Sequence, residues 1–162
     1  MSGSEESLTH VAPDGSARMV DIGAKAETAR MAKVGGAITM SAETLGAIAR
    51  NEVAKGDVLA VARVAAVMSA KRTAELIPLC HPVPLTDLQV ELRLDESLPG
   101  VRVEVTARSV GRTGVEMEAF VGASVALLTV YDMAKAMDRG MSIGDISLIE
   151  KTGGARGDFA RG

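Results

Sequence analysis

The chain has 162 residues and a formal net charge of −3, and 47% of its residues are hydrophobic although only 2% are aromatic. This length suits one domain with a core of aliphatic side chains and methionine, while the acidic, aromatic-poor composition lacks the basic and stacking surfaces of nucleic-acid-binding proteins. A single cysteine, Cys80, excludes an internal disulfide and a cysteine-rich zinc site, and two histidines are too few for a histidine-dominated metal cluster.

The ends of the chain differ from its middle. We expect residues 1–18 to form a mobile polar tail, residues 19–155 a single catalytic domain, and residues 156–162 a C-terminal tail. The acidic N-terminus is unlike a signal peptide, and the longest uncharged run, residues 119–131, is shorter than the ~20 residues of a membrane span. We therefore expect a cytoplasmic protein that does not enter a membrane.

The first predicted elements are a strand and two helices. Residues 30–40 could form a strand, although two central glycines weaken it. A helix over residues 41–51 begins at Ser41, and Asp57 can cap a second helix that continues through about residue 73.

Alternation of apolar and polar residues predicts half-buried strands over residues 87–94 and 101–106, and the Pro-Gly pair between them predicts an antiparallel hairpin. A long helix over residues 114–139 is apolar on most of its circumference, so its own sheet or another subunit must bury it. A strand over residues 143–150 could follow. The order β-α-β-β-α-β predicts an α+β, ferredoxin-like fold with an antiparallel sheet and helices packed on one face.

The first polar cluster is the segment of residues 71–82. Its prolines restrict the backbone around Leu79, Cys80 and His81, which would hold an imidazole and several peptide groups in place for a ligand. An ordinary helix-to-strand connection with a surface histidine explains the same pattern about as well.

The second cluster is the segment of residues 111–118. Two glycines allow a tight turn, and the free amides of a helix start attract anions. Glu116 and Glu118 are also favoured there by the helix dipole, so capping alone could explain either glutamate. Because they are two positions apart, they point to different sides of the helix.

The third cluster is Asp132, Lys135 and Arg139, whose spacing places them on one helical face. A solvated ion-pair stripe is the ordinary explanation, but a carboxylate and an amine in a partly dry site would make an acid–base pair. Cations near the three clusters could together give a local positive field that suits a polyphosphate ligand. They are Lys55, Lys71, Arg72, Lys135, Arg139, Lys151 and Arg156.

The positions of two lysines bear on assembly. A continuous helix from Lys55 to Lys71 would separate them by about 24 Å, too far for one pocket in one chain. We therefore expect a homo-oligomer with its site at a subunit interface.

Several distinctive stretches together cover nearly the whole chain. They are Leu8-Thr9-His10, Met19-Val20-Asp21 with Lys25, Lys55-Gly56-Asp57-Val58, Ala70-Lys71-Arg72-Thr73, LIPLCHP at 76–82, TGVEMEA at 113–119, SVALLTVYDMAK at 124–135, and Glu150-Lys151-Thr152-Gly153-Gly154. In these stretches the sequence closely resembles the MoaC family of cyclic pyranopterin monophosphate synthases. The sequence departs from the family pattern at Ala134, where relatives often have cysteine. It departs again at Ala155-Arg156, where relatives commonly carry a lysine directly after the glycine pair.

The resemblance implies a ferredoxin-like fold and a homohexamer, a trimer of dimers with active sites at the dimer interfaces. It also implies a lyase. From the composition we expect no cofactor and no resident metal, although carboxylates could still hold magnesium. The implied substrate of the lyase is the cyclised 7,8-dihydro-GTP made by a radical S-adenosylmethionine GTP cyclase, which the enzyme rearranges to cyclic pyranopterin monophosphate with release of pyrophosphate, a step in molybdenum cofactor biosynthesis.

The resemblance also implies site residues. Asp132 matches the family's catalytic aspartate, and we expect Lys135 and Lys55 to act with it. The expected substrate-binding residues are Lys71, Leu79, Cys80, His81, Glu116, Met117, Glu118 and Lys151. Two alternatives remain open: a non-catalytic ferredoxin-like module that senses a nucleotide or metabolite, and a scaffold that hands substrate on from a partner enzyme.

Overall fold

The sheet is built from long strands that pair in antiparallel fashion. The computed structural model describes residues 15–154 and 157–162, so Leu8-Thr9-His10 and Arg156 lie outside the described residues. The strands are β1 (Thr28–Thr39), β2 (Leu85–Asp95), β3 (Gly100–Gly111), β4 (Ser142–Thr152) and β5 (Phe159–Ala160). Their order in the sheet is β2-β3-β1-β4-β5, and each neighbouring pair is antiparallel.

Four helices lie between the strands: α1 (Ala42–Ala49), α2 (Val58–Ala70), α3 (Thr73–Leu76) and α4 (Glu116–Ala134). α4 packs on β1, β3 and β4, and α2 packs beside it and on β2. The order β4-β1-β3-β2 with these helix connections confirms the predicted ferredoxin-like α+β fold.

Local rules explain where the first two helices begin. The Ser41 side chain accepts a hydrogen bond from the backbone N–H of Thr44 (3.2 Å), and Asp57 accepts one from Ala60 (2.9 Å). Each bond satisfies a backbone donor that the first helical turn leaves unpaired. Both predicted caps are therefore confirmed.

The core lies between α4 and the two central strands. Val34 and Ile38 of β1, Val105 of β3 and Leu127 of α4 are fully buried. A Cβ on Gly36 would lie 3.1 Å from the Leu127 side chain, so the glycine permits α4 to pack closely against β1. A Cβ on Gly35 would instead lie 2.8 Å from the Ile149 side chain of β4, and β1 runs unbroken through both glycines.

The α4 helix ends earlier than predicted. It stops at Ala134 with Lys135 as its C-cap, whereas the sequence predicted a helix through residue 139. The Asp138 carboxylate accepts hydrogen bonds from the backbone N–H groups of Ser41 and Gly140, both 2.8 Å long. These bonds turn the chain toward α1, so Arg139 does not lie on the α4 face that carries Asp132.

By length and composition, α4 is the one helix within residues 15–154 and 157–162 that could cross a membrane. In this fold it is the central helix, packed on the sheet and on α2. Of its most apolar window, 56% is buried inside the fold.

A short fifth strand was not predicted. Ala160 pairs with Glu150 and Phe159 with Lys151, and the Arg161 guanidinium donates a 2.9 Å hydrogen bond to the Leu148 carbonyl. These contacts hold the end of the chain along β4, next to Lys151.

Candidate active site

Asp132 lies at the centre of a cluster of ion pairs. The Lys55 Nζ lies 2.6 Å from Asp132 Oδ2, and the Lys135 Nζ lies 2.7 Å from Oδ1. Lys55 also donates to the Asp132 carbonyl at 3.0 Å. Lys55 stands in the turn that leads to the cap of α2, and Asp132 stands in the last turn of α4, so the antiparallel packing of these helices creates the cluster. We call these three residues the Asp132 cluster.

The two ammonium groups determine the protonation of this cluster. The hydrogen bond from Lys135, followed by that from Lys55, lowers the pKa of Asp132 to about 2. In return, the hydrogen bond to Asp132 raises the pKa of Lys135. At neutral pH Asp132 is therefore a carboxylate that can accept a proton, and Lys135 is an ammonium that can donate one. Because each side chain is about half exposed, solvent screens the pairs and their contribution to stability is small.

A cavity of about 390 Å³ opens beside the Asp132 cluster. Its lining consists of Lys55, Tyr131, Asp132, Lys135, Ala136 and Arg139. Three cations against one carboxylate give the cavity a positive field, which favours an anionic ligand. Tyr131 was not predicted as a lining residue, because nothing in its sequence context distinguishes it from a core aromatic residue.

The other end of α4 carries Glu116 and Glu118, which diverge as their spacing predicted. Glu116 Oε1 lies 3.0 Å from the Lys151 Nζ, so the helix start is linked to the end of β4. Glu118 instead points inward and is only 4% exposed. We call Glu116, Glu118 and Lys151, together with Cys80, the Glu118 cluster.

Burial controls the chemistry of Glu118 and Cys80. Desolvation raises the pKa of Glu118, and burial, followed by the charge of Glu118, raises the pKa of the Cys80 thiol. Cys80 is therefore a thiol rather than a thiolate at neutral pH. Neighbouring His81 is half-buried, whereas Leu79 is 37% and Met117 36% exposed, so both apolar side chains are available to a ligand.

Contacts of Arg30 with Gly111 and Gly154, which the sequence did not predict, hold the turn after Lys151. We call these contacts the Arg30 clamp. The Arg30 Nε donates a 3.4 Å hydrogen bond to the Gly111 carbonyl, and the guanidinium packs against Gly154. Gly153 and Gly154 have φ of 85° and 94°, and a Cβ on Gly154 would overlap the guanidinium. The glycine pair was the visible signal. Gly154 leaves room for the Arg30 guanidinium, and Gly153 leaves room for the Ala29 carbonyl.

Within one chain, the two clusters lie far from each other. The Asp132 cluster lies at the C-terminal end of α4 and the Glu118 cluster at its N-terminal end. Lys71 caps the C-terminal end of α2, and Gly122 of α4 packs against Ala66 and Ala70 of α2, which places Lys71 toward the Glu118 end. Of the predicted site residues, Lys55, Asp132 and Lys135 are in contact, and the others lie toward the opposite end of α4.

The described part of the chain contains no group of three or more His, Cys, Asp or Glu side chains arranged to hold a metal ion. The carboxylates of Asp132 and Glu116 each pair with lysines.

Comparison with known proteins identifies the family of this chain. The model of the MoaC family matches residues 19–154. Proteins of Brucella ovis and Brucella abortus, each named cyclic pyranopterin monophosphate synthase, are 58% identical over 153 residues, covering 94% of this chain and 93% of each relative. A protein of the same name from Brucella canis is 57% identical over the same length. The chain belongs to the MoaC family.

Proposed function

We propose that this protein is an enzyme that converts (8S)-3′,8-cyclo-7,8-dihydroguanosine 5′-triphosphate to cyclic pyranopterin monophosphate and pyrophosphate, a lyase reaction of molybdenum cofactor biosynthesis. The names of its close relatives support the reaction class. The single observation that carries the proposal is the position of Asp132 between two lysines at a positively charged cavity.

The Asp132 cluster suits the ring chemistry. Opening the five-membered ring and closing a pyrazine ring both require protons to be removed and returned. We assign Asp132 as the base and Lys135 as the acid because both line the cavity. Their ion pair weakens each of them in that role, so the bound substrate must displace it before either group transfers a proton. Lys55 holds the carboxylate in place and supplies a second ammonium group.

Cyclisation of the phosphate expels pyrophosphate, and the lysines suit this step as well. Negative charge develops on the leaving group, and fixed ammonium groups stabilise it in the transition state. Lys55 stands at the cavity, while Lys71 and Lys151 stand toward the other end of α4. Lys55 and the two distant lysines, Lys71 and Lys151, can bind one triphosphate only if two chains contribute to the site.

A site shared by two chains is therefore part of the proposal, and the resemblance to the family adds that the dimers assemble as a homohexamer, a trimer of dimers. Val61, Val64 and Met68 form a stripe on α2 that is 45%, 59% and 55% exposed, and Leu128 of α4 is 55% exposed. Full burial of an exposed side chain of this kind contributes about 1.5–3 kcal/mol, so completing the burial of these half-exposed side chains would contribute roughly half of that each. Lys71 follows the stripe directly, so a second copy docked there would lie beside a substrate-binding lysine.

The remaining substrate contacts are assigned to the Glu118 cluster and its neighbours. Leu79, Met117 and His81 would contact the pterin or purine ring, and Glu118 would hydrogen-bond its edge. We also propose a cytoplasmic location and functional coupling to the radical S-adenosylmethionine GTP cyclase, because the cyclised substrate must be supplied by such a reaction.

Pyrophosphate release from the cyclised dihydro-GTP tests the proposal. Wild-type protein should release pyrophosphate, and Asp132→Asn and Lys55→Ala should each lower kcat by about 10²-fold or more. Arg50→Gln, which removes a cation from an exposed ion pair with Glu52, is the control and should retain activity. A folded wild-type oligomer that binds the compound without turning it over would favour the sensing module instead.

A further inference from the structure

Arg139 lies at the cavity of the Asp132 cluster, and the proposed proton transfers do not use it. Its position beyond the end of α4 results from the turn that Asp138 makes toward α1. It nevertheless lines the cavity with Lys55, Asp132 and Lys135. Arg139 therefore reaches the cavity from the turn that follows α4, and not from the face of the helix itself.

The carboxylates near Arg139 are already engaged. Both oxygens of Asp132 accept from lysines, and both oxygens of Asp138 accept from backbone N–H groups. Within residues 15–154 and 157–162, Arg139 forms no hydrogen bond and no ion pair. Its charge lies close enough to Lys135 to oppose protonation of that lysine. The cavity thus holds two neighbouring cations whose mutual repulsion a bound anion would relieve.

We infer that Arg139 binds a phosphate group of the ligand in this cavity and so selects for a polyphosphate. A guanidinium presents two parallel N–H donors that match phosphate oxygens, and a free guanidinium at a positively charged cavity has no competing partner. The identity of the ligand as the cyclised dihydro-GTP rests on the proposed function. The binding of phosphate by Arg139 rests on the cavity alone.

Calorimetric titration with inorganic pyrophosphate tests the inference without any turnover. Arg139→Gln should weaken pyrophosphate binding about tenfold or more, since charge-assisted hydrogen bonds are the strong ones. Arg139→Lys should retain part of the affinity because it keeps the charge and loses the paired donors. Arg50→Gln should bind like the wild type. Binding by Arg139→Gln within twofold of the wild type, or no pyrophosphate binding by the wild type, would overturn the inference.

Steady-state kinetics separate this inference from the proposed function. With the cyclised dihydro-GTP as substrate, Arg139→Gln should raise KM about tenfold while kcat changes little, because a phosphate contact made equally in ground and transition states affects binding alone. An active wild type whose KM is insensitive to Arg139→Gln contradicts the inference only. Pyrophosphate binding that depends on Arg139, in a wild type that never turns the substrate over, contradicts the proposed function only.

Discussion

Glu116 and Asp132 occupy opposite ends of α4, where Glu116 pairs with Lys151 of β4 and Asp132 pairs with Lys55 of the turn before α2. At 1.5 Å per residue, about 24 Å of helix separates them. A single small-molecule site cannot reach both within one chain. If both clusters act on one substrate, two chains must meet so that the Asp132 cluster of one faces the Glu118 cluster of the other.

Subunit complementation tests this composite site. Asp132→Asn and Glu118→Gln should each abolish most pyrophosphate release as pure proteins, since each removes a side chain needed in every site. Unfolded together in equal amounts and refolded, they should regain about a quarter of wild-type activity, because random two-fold pairing leaves one intact site in each mixed dimer. The measurement is pyrophosphate release from hetero-oligomers verified by differential affinity tags.

The control for complementation is each variant refolded alone, which should stay inactive. Verified hetero-oligomers that regain no activity would show that both residues serve a site within one chain, against the geometry of α4. Full activity of either variant alone would show that the substituted residue is not needed in the active site.

The apolar stripe of α2 should hold subunits together. Val64→Lys with Met68→Lys places two ammonium groups where an interface would exclude water, so the oligomer should dissociate. Light scattering measures the mass, and pyrophosphate release should fall in parallel. Val110→Lys, at a valine of β3 that is 54% exposed, is the matched control and should leave the mass unchanged. An unchanged mass of the double variant would place the interface elsewhere.

The predictable parts of the fold were those set by local rules. Period-two alternation predicted the β2–β3 hairpin, and the capping residues Ser41 and Asp57 predicted two helix starts, because each signal acts within a few residues. The end of α4 could not be predicted in this way. It depends on a hydrogen bond between Asp138 and the backbone of Ser41, which lie far apart in sequence and meet only in the folded chain.

The site residues, too, include some that local sequence could predict and some that it could not. The spacing of Asp132 and Lys135 predicted their ion pair, and the resemblance to the family placed Lys55, already noted as one of the cations, beside Asp132. Arg30 was missed because its role consists of contacts with Gly111 and Gly154, from two other elements of the fold. A side chain that acts only through tertiary contacts leaves no recognisable pattern in the adjacent sequence.

Glu118 should make stability depend on pH. Burial raises its pKa, so the native state binds the proton more tightly than the unfolded chain does. Its contribution is therefore fully present below the unfolded pKa of about 4.3 and is lost as the pH rises through the native pKa. Glu118→Gln cannot ionise, so its melting temperature should exceed that of the wild type at pH 7.5 and match it near pH 4. Glu75→Gln, at an exposed glutamate of α3, should show no such difference. A Glu118→Gln variant no more stable than the wild type at pH 7.5 would contradict the assignment.

The clamp between Arg30 and the glycine turn can be isolated with a matched pair of glycines. Gly154 and Gly157 both have positive φ, 94° and 73°, so replacing either with alanine adds backbone strain of about 1–3 kcal/mol. Only at Gly154 does the new Cβ meet the Arg30 guanidinium, since a Cβ on Gly157 meets nothing within 4 Å. Gly154→Ala should therefore lower the free energy of unfolding more than Gly157→Ala, as measured by urea titration. It should also raise KM, because the displaced turn follows Lys151 directly.

Combining Gly154→Ala with Arg30→Ala separates the steric clash with the Arg30 guanidinium from the backbone strain of alanine at a positive φ. Shortening Arg30 removes the group that the new methyl meets, so the double variant should be more stable than the sum of the two single effects predicts. The same combination with Gly157→Ala should be additive, because Gly157 does not touch Arg30. Additivity in both cycles would mean that Arg30 does not press on the glycine turn, and Gly154 would then be required for its backbone conformation alone.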